Sequence, residues 1–342
     1  MKITGIRPDS VTYICILKAC SIVGSLEIGE EIDAEVRKQE LLQKDVVLGN
    51  TLVAMYAKCG ALMKAREVFD QLRIQNVVTW NALIAGYAHC GLGNEAIECF
   101  HQMKDEGVFP DKVTFTCILK ACGDIGSGRK GEEIHADIRR TRSIGKDTLI
   151  GNALVDMYIK CGALKKAKEV FSELQARNVS SWTSLISGYA HVGEHDIVIE
   201  LFKQMIEEGV EPNLITFTVV LNACSHSGLI DKAYEFLEVM RTEYGIVPTV
   251  KHHNCILDLL SRAGQVIQAM EVLDKMPTQP SFVTWSTVLG HCRNQGNVRL
   301  AKHAFECAMA LGDNKHSSAF ILMSNMLGDL LLEEYEEMTC DD

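Results

Sequence analysis

Between residues 77 and 111 the apolar side chains fall into two stripes of helical spacing. Leu83, Ile84, Tyr87 and Ala88 stand at i, i+1, i+4 and i+5, and Ala96, Phe100 and Met103 at i, i+4 and i+7. Gly91 and Gly93 separate the stripes as a turn, while Gly107 and then Pro110 close the second one, the usual order at a helix C-terminus. The pattern predicts a helix-turn-helix hairpin. Two helices with one apolar face each cannot bury those faces alone, so such hairpins must stack on neighbours.

The neighbours are in the chain. Tyr56 to Leu62 returns almost verbatim as Tyr158 to Leu164, an offset of 102 residues; Trp80 returns as Trp182, and Ile16 to Cys20 as Ile118 to Cys122. Aligning the openings Val11-Thr12-Tyr13, Val47-Leu48-Gly49-Asn50, Val78-Thr79-Trp80-Asn81 and Val113-Thr114-Phe115 divides each block again. Eight hairpins are predicted at 10–45, 46–76, 77–111, 112–147, 148–178, 179–213, 214–249 and 250–281, followed by a related segment at 282–315. A fixed repeat of this length means a stacked array, here an all-α, right-handed superhelical solenoid with first helices on the concave side.

Composition narrows the chemistry. No apolar run approaches the roughly 18 residues of a membrane span, so no membrane partner is expected. Thirteen cysteines invite a disulfide or zinc reading. They follow the repeats, with Cys20, Cys122 and Cys224 in one slot and Cys59 and Cys161 in another, and no Cys-x-x-Cys occurs, which points to small packing residues. His191-Val192-Gly193-Glu194-His195 has the spacing of a zinc-peptidase helix, but Gly193 sits where the other units turn. Gly126 to Gly131 fits G-x-G-x-x-G without a preceding strand. Neither a catalytic site, a metal nor a cofactor is expected. The formal net charge of -11 argues against nucleic acid, yet Lys18, Lys58, Lys120 and Lys160 recur on first helices while Glu30, Glu31, Glu132, Glu133 and Glu169 lie on second helices. Net charge therefore leaves two readings open, a nucleic-acid binder and a protein-binding helical scaffold.

Val78-Thr79-Trp80-Asn81-Ala82-Leu83-Ile84, Gly86-Tyr87, Glu95-Ala96, Phe100, Met103, Gly107 and Pro110-Asp111 together resemble the pentatricopeptide repeat family, over about 300 of the 342 positions. The alternation of 36, 31 and 35 residues resembles the long, short and standard units of its plant PLS subclass. What the resemblance implies is binding of single-stranded RNA at one base per unit, read by the fifth residue of a first helix with the unit's last residue. Carried over, the pairs are Asn50 with Asn76, Asn81 with Asp111, Asn152 with Asn178, Thr183 with Asn213, and Asn254 with Ser281. The long units supply Ile14 with Asp45, Thr116 with Asp147, and Thr218 with Thr249. By the family's pairing rules Asn81 with Asp111 implies U, Thr183 with Asn213 implies A, the Asn-Asn pairs imply a pyrimidine, Asn254 with Ser281 leans to C, and the long units stay unassigned. Val47, Val78, Val113, Leu149 and Ile215, at the second place, would sandwich the bases. The last residues also have a plain structural role, since Asp and Asn before a helix are good N-caps.

Residues 250 to 315 resemble the end of editing-factor arrays, with Trp285 and Cys292 in a first extension motif. A second extension begins at Ala319 and gives way to an acidic tail, so 316–342 reads as incomplete, and 1–9 reads as the end of a truncated repeat. The resemblance implies an organellar RNA partner in the mitochondrion or chloroplast, leaning to the mitochondrion, although no targeting peptide is visible. Editing or processing would then use a deaminase-bearing (DYW-type) protein acting in trans.

Overall fold

The computed structural model describes residues 8–141, 147–276, 279–294 and 298–311. The expected second extension and acidic tail at 316–342, and most of the 1–9 segment, lie outside the described residues. The chain divides into two compact units, Met1–Arg177 and Asn178–Asp342.

In the first unit the helices are α1 (Ser10–Val23), α2 (Leu26–Lys38), α3 (Val46–Lys58), α4 (Leu62–Gln71), α5 (Val77–His89), α6 (Gly93–Asp105), α7 (Lys112–Asp124), α8 (Gly128–Arg140), α9 (Thr148–Lys160) and α10 (Leu164–Glu173). The second unit has α11 (Val179–His191), α12 (His195–Glu207), α13 (Leu214–Ser227), α14 (Ile230–Thr242), α15 (Val250–Arg262), α16 (Val266–Asp274), α17 (Phe282–Asn294) and α18 (Val298–Ala310). No strand occurs among the described residues.

Each unit is two layers deep. In the first, α1, α3, α5, α7 and α9 pack on one another in succession, and α2, α4, α6 and α8 each pack on their own first helix and on the next one. In the second unit α11, α13, α15 and α17 pack in succession, α12 and α14 each pack on two first helices, and α16 and α18 pack on α15 and α17. Small residues let the first helices approach closely. A Cβ added at Gly86 of α5 would stand 2.5 Å from Ala57 Cβ of α3, so only glycine fits there. The hairpin turns are equally specific: Gly91 has φ +77° and Gly193 φ +80°, left-handed conformations that L side chains resist.

Within each unit the layers meet in an apolar seam. Trp80 is fully buried and meets Phe69 edge-on at 4.5 Å, and in the second unit Phe202 touches Phe217 and Phe236 at 5.5 and 5.2 Å. Truncating such a side chain to Ala costs roughly 3 to 5 kcal/mol. This seam fixes the register of the helix starts, and the polar chemistry lies at those starts.

Candidate nucleic-acid interface

The last residue of each predicted repeat is the N-cap of the following first helix. Asp45 accepts from Val47 and Leu48 N–H, Asn76 from Val78 and Thr79, Asp111 from Thr114, Asp147 from Leu149, Asn178 from Ser181, and Asn213 from Ile215 and Thr216. Capping of this kind stabilises a helix by about 1 kcal/mol. It would suffice to explain Asp and Asn at these places.

Capping does not explain the fifth residues. Asn50 and Asn81 are both 9% exposed in helix interiors, where Asn is a poor helix former. Asn81 Nδ2 donates to Asp111 Oδ1 at 3.0 Å, and Asn50 Nδ2 reaches Asn76 Oδ1 at 3.4 Å. A third residue completes each cluster. Thr114 Oγ1 donates to Asn81 Oδ1 at 2.6 Å, and Thr79 Oγ1 donates to Asn50 Oδ1 at 2.6 Å. Both threonines are 0% exposed and stand third in the next first helix, where their hydroxyls also accept the N–H of the capping residue. Sequence reasoning passed over them, although the capping-box spacing in Asn76-Val77-Val78-Thr79 and Asp111-Lys112-Val113-Thr114 was there to be read.

Three of the other pairs are relayed through that third residue. Thr183 Oγ1 lies 2.9 Å from Thr216 Oγ1, which donates to Asn213 Oδ1 at 3.1 Å. Asn254 Oδ1 accepts from Thr284 Oγ1, and Thr284 is 3.1 Å from Ser281 Oγ. Between Thr218 and Thr249 stands His252: Thr249 N–H donates to its Nδ1, which leaves Nε2 to donate to Leu214 O at 3.0 Å, with Thr218 Oγ1 at 3.1 Å. Thr116 and Asp147 share no such relay, because Ile150 occupies the third place and Thr116 Oγ1 donates to Lys112 O within its own helix. Ile14 is apolar and leaves Asp45 as a cap. Asn152 lies in the first unit, with its Oδ1 buried and without a partner among the described residues, and Asn178 caps α11 in the second.

Two ionisable groups are tuned by these networks. Burial works against the Asp111 carboxylate, but the hydrogen bonds from Thr114 and Asn81 outweigh it and hold its pKa below the ordinary value. Burial depresses the His252 pKa despite its hydrogen bond to Leu214 O, so the ring is neutral near pH 7.

The surface around the clusters has mixed character. Val47, Val78, Val113, Leu149 and Ile215 are 45 to 61% exposed, apolar side chains left about half open to solvent. In the first unit a cavity of about 410 Å³ is bordered only by first helices. Its floor includes Ala54, Ala82 and Ala85, and its rim carries Lys58, His89 and Lys120. Acidic residues are scarce on this layer. The first helices of both units carry only Asp124, Asp156 and Asp258; Lys160 pairs with the first two and Arg262 with the third. The acids of second helices in the first unit instead form a ladder, with Lys64 on Glu30, Lys104 on Asp137, and Lys166 on Glu132. Exposed pairs of this kind contribute little stability, but they consume negative charge away from the first-helix layer.

Models of the pentatricopeptide repeat match at 1–42, described as the pentatricopeptide repeat domain, at 75–124 and 177–226, described as the PPR repeat family, and at 50–77, 152–179, 215–244 and 252–279, described as the PPR repeat. The chain belongs to the pentatricopeptide repeat family. Among curated relatives, a putative pentatricopeptide repeat-containing protein of Arabidopsis thaliana is 35% identical over 326 residues, covering 95% of this chain and 44% of the relative. Another from that plant, with a mitochondrial name, is 35% identical over 329 residues and covers 96% and 52%. The chain spans about half the length of such relatives. Among solved structures, the pentatricopeptide repeat protein PPR10 in complex with an 18-nt psaJ RNA element matches with TM-score 0.76 at 20% identity, over 98% of this chain and 52% of that one. PPR10 from maize matches with TM-score 0.55 at 18% identity, over the whole of this chain and 59% of that one. The fold is thus the pentatricopeptide repeat solenoid.

Within this pentatricopeptide repeat chain the other motifs are structural. His191 ends α11, Gly193 breaks the backbone, and His195 opens α12, where it stacks on His226 at 5.2 Å, so the two histidines do not share a helical face. Gly126 to Gly131 is the turn and first residues of α8, preceded by a helix. Burial pushes the thiols of Cys99 and Cys224 up to about 11 and those of Cys122 and Cys255 to about 12, which keeps them protonated and unreactive near neutrality. Among the described residues no group of three or more His, Cys, Asp and Glu is placed to hold a metal ion.

Proposed function

We propose that this chain is a sequence-reading module for single-stranded RNA, of the PLS subclass, acting without catalysis of its own. The observation that carries the reading is the Asn81, Thr114, Asp111 cluster. With its carbonyl oxygen held by Thr114 and one N–H by Asp111 Oδ1, Asn81 has one N–H left to offer beside the second carboxylate oxygen of Asp111. A donor next to an acceptor complements the O4 and N3–H of uracil, whereas cytosine offers an amino group and a bare N3 at the same edge. The exposed second-place residues supply apolar faces for stacking. The lysine rim and the neutralised acids make the first-helix layer hospitable to a phosphate backbone despite the net charge. A protein scaffold has no use for a buried amide held by two partners at successive helix starts.

Counted from unit 46 the site reads Y-U-N-Y-A-N-C from 5′ to 3′ along N- to C-terminal units, with the eight repeats and the 282–315 extension as divided above. The role is recognition for organellar RNA editing or processing, with a DYW-type or other enzyme supplied in trans. The mitochondrial names of some relatives support an organellar address, mitochondrion before chloroplast. Selection from a pool of random single-stranded RNA tests this. Enrichment of that pattern is expected, and recovery of no common sequence would overturn it.

A further inference from the structure

The amide of asparagine is nearly symmetric in shape, and a half-turn about its last bond exchanges donor and acceptor. A base-reading asparagine is therefore selective only where something decides which end faces the ligand. We propose that the buried hydroxyl at the third place of the following first helix does so, making Thr79 and Thr114 specificity-determining positioning residues for Asn50 and Asn81. This rests on the RNA reading above and adds to it residues that belong to the next repeat.

The argument is one of proton accounting. Thr79 Oγ1 has a single proton and two acceptors within reach, Asn50 Oδ1 at 2.6 Å and Asn76 Oδ1 at 3.2 Å, and the shorter contact takes it. Its lone pairs face Asn76 N–H at 3.3 Å. Asn76 Oδ1 is already occupied by Val78 and Thr79 N–H. Thr79 is fully buried, so no water replaces its hydroxyl. If the Asn50 amide turned over, its oxygen would face Asn76 Oδ1, acceptor against acceptor. Since the Asn76 contact is long, at 3.4 Å, the Thr79 hydroxyl carries most of the orientation there. At the neighbouring junction the Asp111 carboxylate holds Asn81 Nδ2 at 3.0 Å, so Thr114 shares the task. The same placement recurs at Thr284, which donates to Asn254 Oδ1 at 3.1 Å.

The test measures binding of the full chain to single-stranded RNAs that carry each of the four bases opposite unit 46, and separately opposite unit 77. Thr79→Val removes the hydroxyl at nearly constant shape. It is expected to lower the pyrimidine-over-purine ratio opposite unit 46 by about tenfold, the worth of one well-made base contact. Preference opposite unit 77 should stay unchanged. Thr79→Ser should keep the parent ratio, and Thr114→Val should lower the preference for U opposite unit 77 by a smaller factor, because Asp111 remains. A purely structural threonine would weaken all RNAs alike, so base preference that survives both valine substitutions overturns the positioning role and leaves the RNA reading intact. A parent chain with no base preference anywhere overturns both. If Thr79→Val fails to fold by circular dichroism, Thr114→Val decides the question alone, with Thr114→Ser as its control.

Discussion

Two consecutive repeat junctions in the first unit, at Asp111 and at Asp147, share their capping chemistry and differ in nearly everything polar around it. At the first, Asn81, Thr114 and Asp111 are tied together by contacts of 2.6 to 3.0 Å. At the second, Ile150 is 1% exposed and packs in the core, Asp147 caps Leu149, and Thr116 turns its proton to Lys112 O in its own helix. Both helices start on an Asp cap, and only the first adds the reciprocal capping box. An acidic last residue is therefore a statement about helix initiation, and only a hydrogen-bonding third residue makes the fifth residue part of a fixed polar edge. The same division separates the junction of α7 with α9 from the junction of α5 with α7.

The largest expected effect comes from making the first junction resemble the second. Thr114→Val leaves Asn81 Oδ1 and the Asp111 N–H without their buried partner, which should cost roughly 2 kcal/mol in chemical denaturation. Ile150→Val, the matching change at the second junction, should cost about 1 kcal/mol. Equal losses would mean that the hydroxyl only fills space. In the opposite direction, Thr116→Asn with Ile150→Thr rebuilds the polar edge beside Asp147. It should create a preference for U opposite unit 112 of about tenfold in comparative binding assays. Thr116→Asn alone should create much less, because nothing then holds its carbonyl oxygen.

Legibility follows the same line. The hairpins were readable because apolar stripes at 3.6-residue spacing, glycine turns such as Gly91 and a stop such as Pro110 are all local signals. The capping residues were readable too, since Asn76 and Asp111 stand just before apolar helix starts. What local sequence hid was the partner of each fifth residue. Thr79 looks like one more helix-opening residue between Val78 and Trp80, and its bond to Asn50 spans 29 positions. His252 was equally opaque, since only its place between Thr218 and Thr249 shows that it does the work of threonine at that junction. The charge layout was half visible: the lysines of first helices could be counted, and Asp156 stands four residues before Lys160 in the same helix, but the pairing of Asp124 by Lys160 depends on α7 and α9 meeting.

Smaller effects sharpen the electrostatic side of the comparison. Lys58 and Lys120 border the first-helix cavity and make no ion pair among the described residues, so each is free to meet a phosphate. Lys58→Gln or Lys120→Gln should weaken binding evenly across sequences and reduce the slope of log affinity against log salt by about 0.7. A change in base preference instead would show that these side chains read sequence. The smallest effect concerns His252, whose folded pKa lies below the usual 6.5 because of burial. The unfolded chain takes up that proton first as pH falls, so the contribution of this histidine to stability is full above about pH 6.5 and declines below it. Denaturation midpoints for His252→Thr should fall less between pH 7 and pH 5 than those of the parent. A parallel fall in both would assign the pH sensitivity to other groups.

The most direct measurement exchanges the pair in one repeat of the second unit, where Thr216 already supplies the third-place hydroxyl. Thr183→Asn with Asn213→Asp should move the preferred base opposite unit 179 from A to U, by about tenfold in the ratio of dissociation constants, and leave the neighbouring positions unchanged. If the double substitution lowers affinity for every RNA by the same factor, with no exchange at that one position, the fifth and last residues are structural and the chain does not read bases through them.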